Sequence, residues 1–152
     1  MAVETPVKPN TKLFSDDYVA WAEETARFIR EGLWDEIDRE ILLEEVHGLA
    51  SVPRMECDNR LSVLICHLLK WRYQGERRGN SWRRTIQAQR VSLRKLLRRS
   101  PTLRAEFDSA VTDAFPVGRL KALNEMNAPD ERIPEEPVFT AEQVLDDNYY
   151  PE

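Results

Sequence analysis

Glu44 and His47 stand three residues apart, the spacing at which a Glu-x-x-His pair shares one helix face and ligates iron in ferritin-like bundles. Such a centre needs a second Glu-x-x-His and two further glutamates on facing helices. The other histidine, His67, has Leu64 at that position, so the set cannot be completed and no metal is expected. Glu45 poses a sharper problem. On a helical wheel it falls between Ile41 and Leu49, inside the apolar arc, and a carboxylate placed there has to be paired or protonated. Lys70, Arg72, His67 and the Trp indoles are its candidate partners. His67 and Trp71 are i, i+4 neighbours and share one edge of their helix with Lys70. Glu44, Glu45, His67, Lys70 and Trp71 therefore form a candidate polar cluster. Within it, Glu45 is either half of an interhelical ion pair that fixes register or a carboxylate serving a small cleft.

No nucleophile can be nominated. Cys66 and His67 are adjacent and point about 100° apart on a helix, so neither Cys57 nor Cys66 has a base beside it. On one helix the two cysteines lie about 13.5 Å apart on opposite faces, too far for a disulfide. Serine-hydrolase, phosphate-loop and dinucleotide motifs are absent. No catalytic residue and no cofactor are expected.

The 152 residues carry a net charge of −5 that is strongly segregated. Residues 1–69 hold 7 Lys/Arg against 14 Asp/Glu, residues 70–104 hold 12 against 1, and residues 105–152 hold 3 against 12. Arg77, Arg78, Arg83, Arg84, Arg90, Arg94, Lys95 and Arg98 make a candidate binding surface, with Arg99 beside them and Trp71, Tyr73 and Trp82 close by. Basic stripes interleaved with aromatics are one footprint of nucleic-acid binding, yet the sequence pI of about 5.2 is far below the usual value for such domains. Two other readings stand beside it: an acidic protein partner, or neutralisation by the chain's own acidic helices and tail.

The elements that must position these residues read as helices. Ser15 can cap a helix carrying Tyr18, Trp21, Thr25 and Phe28, stopped by Gly32. A second covers about 35–50 on Ile37, Ile41, Leu42, Val46 and Leu49. A third, about 53–74, sets Leu61, Leu64, Ile65, Leu68, Leu69 and Trp71 on an arc of about 160° and is the centre of the bundle; at Pro53 the chain either restarts or runs on with a kink. Ser81 opens a fourth, and Ser100-Pro101 a fifth that Pro116 and Gly118 disturb. In the tail, Thr140 and Gln143 have capping-box spacing. The fold class is all-α, a single-domain bundle of about five helices with an extended C-terminal tail. Residues 1–14 read as a flexible N-terminal arm, 15–126 as the bundle, and 127–152 as a Pro-rich acidic tail packed on it.

Three stretches carry a family likeness: YVAW (Tyr18–Trp21), LLEEVHGL (Leu42–Leu49) and LSVLICHLLKWRYQGERRGNSWRRTI (Leu61–Ile86). Over about residues 13–150 the chain resembles the bacterial family known as domain of unknown function 29. The resemblance implies a small helical bacterial protein and carries over no activity. Two positions depart from it. His47 stands where the family usually has Glu, and Glu136–Phe139 reads Glu-Pro-Val-Phe where Cys-Pro-aromatic is common.

The chain is accordingly read as a protein-binding module rather than an enzyme. Nucleic-acid binding through 77–99 is the first alternative, and an enzyme using the carboxylate, His and Lys neighbourhood the second. The opening MAVETPVKPN lacks the apolar stretch of a signal peptide, and no apolar run reaches membrane-span length. A cytoplasmic location without membrane binding is expected.

Overall fold

Pro9 begins a helix that the sequence pattern conceals. In the computed structural model, which describes residues 7–152, the helices are α1 (Pro9–Asp16), α2 (Tyr18–Glu31), α3 (Arg39–Tyr73), α4 (Asn80–Arg99), α5 (Pro101–Met126) and α6 (Ala141–Leu145). Short 3-10 turns occupy Trp34–Glu36, Gly75–Arg77 and Asp130–Arg132. The fold is all-α, with no strand among the described residues. Compact units form on either side of a boundary within α3, one ending at Ser51 and the other running from Val52 to Glu152.

In the N-terminal unit, residues 9–16 are helical where a flexible arm is expected, and residues 1–6 of that expected arm lie outside the described residues. Proline suits a first helical turn because its missing N–H would be orphaned there. Tertiary bonds then fasten α1: Asn10 Nδ2 donates to Thr25 Oγ1 at 3.2 Å, Thr11 Oγ1 to Asp38 Oδ2 at 2.6 Å, and Lys8 Nζ to the Ile37 carbonyl at 2.8 Å. Ser15 sits inside α1, and Asp17 caps α2 instead, accepting from the Ala20 N–H at 3.0 Å. Trp21, Thr25 and Phe28 form the buried face of α2. Gly32 ends it at φ 72°, its N–H reaching Ile29 and that of Leu33 reaching Phe28, the Schellman closure that glycine favours.

α3 is one helix where the sequence leaves open a break at Pro53. Its first half buries little: Leu43, Val46 and Leu49 are exposed, although Val46 and Leu49 carry the apolar pattern. The C-terminal unit is built on the second half, where Leu61, Leu64, Ile65, Leu68 and Leu69 are fully buried. At roughly 1.5–3 kcal/mol for each buried aliphatic side chain, this strip is a main source of that unit's stability. Ile86, Leu93 and Leu97 of α4 close on it, as do Leu103, Phe107, Val111 and Phe115 of α5. Ser100 Oγ accepts from the Leu103 N–H and caps α5, as its sequence implies, whereas α4 starts one residue before Ser81. α5 continues unbroken past Pro116 and Gly118, and this glycine lies directly against Ile65. The tail contributes Ile133, Phe139 and Val144 to the same core.

Two glycine substitutions separate close packing from helix propensity. At Gly118 an added Cβ would lie 2.6 Å from Ile65 Cγ2 and 3.0 Å from the Ser62 carbonyl. Gly118→Ala should cost about 1–3 kcal/mol in urea unfolding, the usual price of overpacking. Gly48 has nothing within 4 Å of such a Cβ, so Gly48→Ala should stabilise by about 0.5–1 kcal/mol. A neutral Gly118→Ala would show that α5 can move away from α3.

Candidate functional site

The arginines of α4 turn toward the tail. Arg90 is 0% exposed; its Nε donates to the Val144 carbonyl at 2.9 Å, and its Nη2 to those of Gln143 at 3.3 Å and Tyr149 at 2.8 Å. Four residues on, Arg94 donates to the Leu145 carbonyl at 3.0 Å and to Asp147 Oδ1 at 2.9 Å. Gln143, Val144 and Leu145 end α6, and the last carbonyls of a helix have no partner within it. Two guanidinium groups supply those partners and complement the negative end of the helix dipole. Burial pulls the Arg90 pKa down, while Tyr150, Asp147 and Asp146 oppose that shift. At the other end, Thr140 and Gln143 complete the expected capping box.

The same chemistry recurs around the C-terminal unit. Arg78 Nε donates to the Trp71 carbonyl at 2.7 Å and Arg132 Nη2 to that of Tyr73 at 2.7 Å, satisfying the end of α3. Arg119 holds the carbonyls of Ile133 and Asp130 at 2.8 and 2.6 Å. Arg83 lies over the Trp71 and Tyr150 rings. Four members of the expected binding surface (Arg78, Arg83, Arg90 and Arg94) are thus engaged within the unit. Arg77, Arg84, Lys95 and Arg98 are exposed and make no ion pair among the described residues.

The structure divides the expected polar cluster. Glu45 belongs to the N-terminal unit, whereas His67, Lys70 and Trp71 belong to the C-terminal one. Glu45 accepts instead from the Tyr18 hydroxyl at 2.6 Å, and that bond raises the tyrosine pKa above its ordinary 10.0. Glu44 is exposed. Trp71 packs against Tyr150 with ring centroids 4.9 Å apart and the ring planes tilted by 50°. Lys70 is buried; it pairs with Glu125 at 2.5 Å and lies over the Trp82 ring at 4.5 Å. Burial pushes the Cys66 thiol up to about 12, with the nearby Glu125 carboxylate adding to the rise. His67 Nδ1 is 2.9 Å from the Val63 carbonyl, and burial lowers its pKa from 6.5. Glu125 stands 55 residues from Lys70, so local spacing could not have found it.

One cleft between α3 and α5, of about 250 Å³, is lined by Arg54, Cys57, Asp58, Glu106, Ser109 and Asp113, among others. Arg54 and Glu106 form a two-armed ion pair across it at 3.0 and 2.9 Å. Burial and the nearby Asp113 raise the Asp58 carboxyl, and burial raises the Cys57 thiol to about 11. Protonated thiols of this kind are poor nucleophiles. No group of three or more His, Cys, Asp or Glu suited to a metal occurs among the described residues.

The family model described as domain of unknown function DUF29 matches residues 13–150. The chain belongs to this family. No curated protein and no solved structure matches it. Within this DUF29 chain the matched span takes in both the arginine clamp on the tail and the Lys70–Glu125 pair.

Two measurements test this arrangement. Arg90→Ala strands three tail carbonyls and should cost at least about 3 kcal/mol in denaturant unfolding, while Arg98→Ala should stay within about 0.5 kcal/mol. Equal effects would mean that the clamp contributes nothing. His67, whose pKa is lowered on folding, also makes a pH signature. The unfolded chain takes up a proton there that the folded chain resists, so stability should be full above pH 6.5 and fall as pH drops through that value. His67→Gln should flatten this slope; an unchanged slope would assign it to other groups.

Proposed function

We propose that this DUF29 protein is a non-enzymatic interaction module whose N-terminal unit docks a basic amphipathic helix of a partner protein. The observation that carries it is the exposure of Leu43, Val46 and Leu49 (50%, 52% and 73%) on an arc of about 120° of α3. Their unit has a small apolar core in Trp21, Phe28 and Ile37, and it also exposes Ile29, Leu33 and Trp34. Apolar residues gathered in this way mark interaction surfaces. Charge specifies the partner: residues 1–51 hold 5 Lys/Arg against 12 Asp/Glu, and Glu40, Glu44 and Glu45 flank the face with no Lys or Arg between positions 40 and 51.

Engagement of Arg90 and Arg94 by the tail supports a protein partner over nucleic acid, because the centre of the basic row is already occupied. The raised cysteine pKa values and the Tyr18–Glu45 bond support a non-enzymatic role. No helix among the described residues is long and apolar enough to cross a membrane. Two buried free thiols support a cytoplasmic site of action.

Titration of the full chain with a synthetic Leu/Lys amphipathic helix, read by fluorescence anisotropy, tests the proposal. Val46→Ser with Leu49→Ser should weaken binding about tenfold or more, while folding stability changes little because both sites are exposed. A peptide of equal charge with Ser in place of Leu should not bind. Equal binding of the two peptides, or no effect of the double substitution, would overturn the proposal.

A further inference from the structure

Arg90, Arg94 and Arg98 repeat every four residues and therefore share one face of α4. The first two hold the segment Val144–Asp147: its carbonyls bond to the guanidinium groups, Val144 enters the core, and Asp147 pairs with Arg94. Arg98 continues the row and makes no ion pair among the described residues. It lines a groove of about 280 Å³ with Val91, Arg94, Leu97 and Arg104, where α4 meets α5. Between positions 90 and 104 stand six Lys or Arg and no acid. The first turn of α5 has no acidic residue either, so Arg104 adds its charge to the positive end of the helix dipole. Like charges collected beside an apolar floor call for an anion that carries apolar groups.

We propose that this groove docks an acidic, aliphatic segment of a partner protein, held by Arg98 and Arg104 in the way Arg90 and Arg94 hold the chain's own tail. The tail supplies the pattern for the ligand: branched aliphatic residues followed by adjacent aspartates, with carbonyls and carboxylates shared between neighbouring guanidinium groups. Nucleic acid would use the charge but leave Val91, which is exposed, uncovered. The inference is independent of the docking face assigned to the N-terminal unit.

The test is a titration of the ¹⁵N-labelled full chain with the capped peptide Ala-Val-Leu-Asp-Asp-Ala, followed by NMR. Saturable shifts are expected at the Nε–H signals of Arg98 and Arg104 and at the amides of Val91 and Leu97. Arg98→Gln with Arg104→Gln should weaken binding about tenfold, as two exposed ion pairs would. Replacing both peptide aspartates by asparagine should do the same on the unaltered protein, which keeps the test valid if the double substitution fails to fold. Absent shifts, or binding unaffected by these changes, would overturn the proposal. Shifts centred on Arg90 and Tyr149 would also overturn it, since the peptide would then only be replacing the tail. So would a duplex oligonucleotide that saturates the same signals at lower concentration than the peptide.

Discussion

Arg90 places a guanidinium group where neither solvent nor a hydrogen-bonded carboxylate reaches it, and the C-terminal unit is organised around satisfying that charge. An isolated buried cation is prohibitively costly, so its donors must meet fixed acceptors. Nε and Nη2 meet the carbonyls of Gln143, Val144 and Tyr149, while Nη1 is buried without a hydrogen-bond partner. Each side of the contact needs the other. α6 is far too short to persist alone in water, and its carbonyl end would be open without Arg90 and Arg94. A residue that reads as surface charge is thereby a structural centre.

Part of the basic composition of residues 70–104 follows from this use. Arg78 closes the end of α3, Arg90 and Arg94 close α6, and Arg119 and Arg132, from outside the basic segment, do equivalent work on nearby carbonyls. Lysine would serve poorly because its compact ammonium lacks the rigid fork that reaches two carbonyls at once. Lys70 has a different task. Its single charge meets Glu125 on one side and the Trp82 ring on the other, a geometry suited to a point cation.

The N-terminal unit shows a different economy. Units of about this size bury a smaller fraction of their surface than larger domains do. Here the small core of Trp21, Phe28 and Ile37 is supplemented by the Asn10–Thr25, Thr11–Asp38 and Lys8–Ile37 hydrogen bonds. A Phe14, Tyr18 and Trp21 aromatic cluster, with centroids 4.9–5.7 Å apart, ties α1 to α2. Polar and aromatic contacts thus do part of the work that aliphatic burial does in the C-terminal unit, and apolar residues of α3 stay exposed.

Local signals in the sequence were sufficient for the all-α class, the buried strip from Leu61 to Leu69, the Gly32 stop, the Ser100-Pro101 start and the Thr140 capping box. Each rests on propensity or periodicity within a few residues of chain. The same signals suggested Ser15 and Ser81 as caps and a boundary at Pro53, where extended backbone at Asp17 and Gly79 and the continuous helix decided otherwise. They also offered Lys70 as a partner for Glu45, whereas Glu45 accepts from the Tyr18 hydroxyl and Lys70 pairs with Glu125. Whether an arginine on the polar side of α4 faces water or a carbonyl depends on where residues 143–149 return, more than fifty positions later. Glu125 reaches Lys70 by the same kind of distant return. The sequence by itself determined the helices and their apolar faces, because those follow from short-range periodicity. Only the tertiary structure decided which charges are buried and what they bind, because a charge takes its partner from whatever the folded chain brings within about 3 Å.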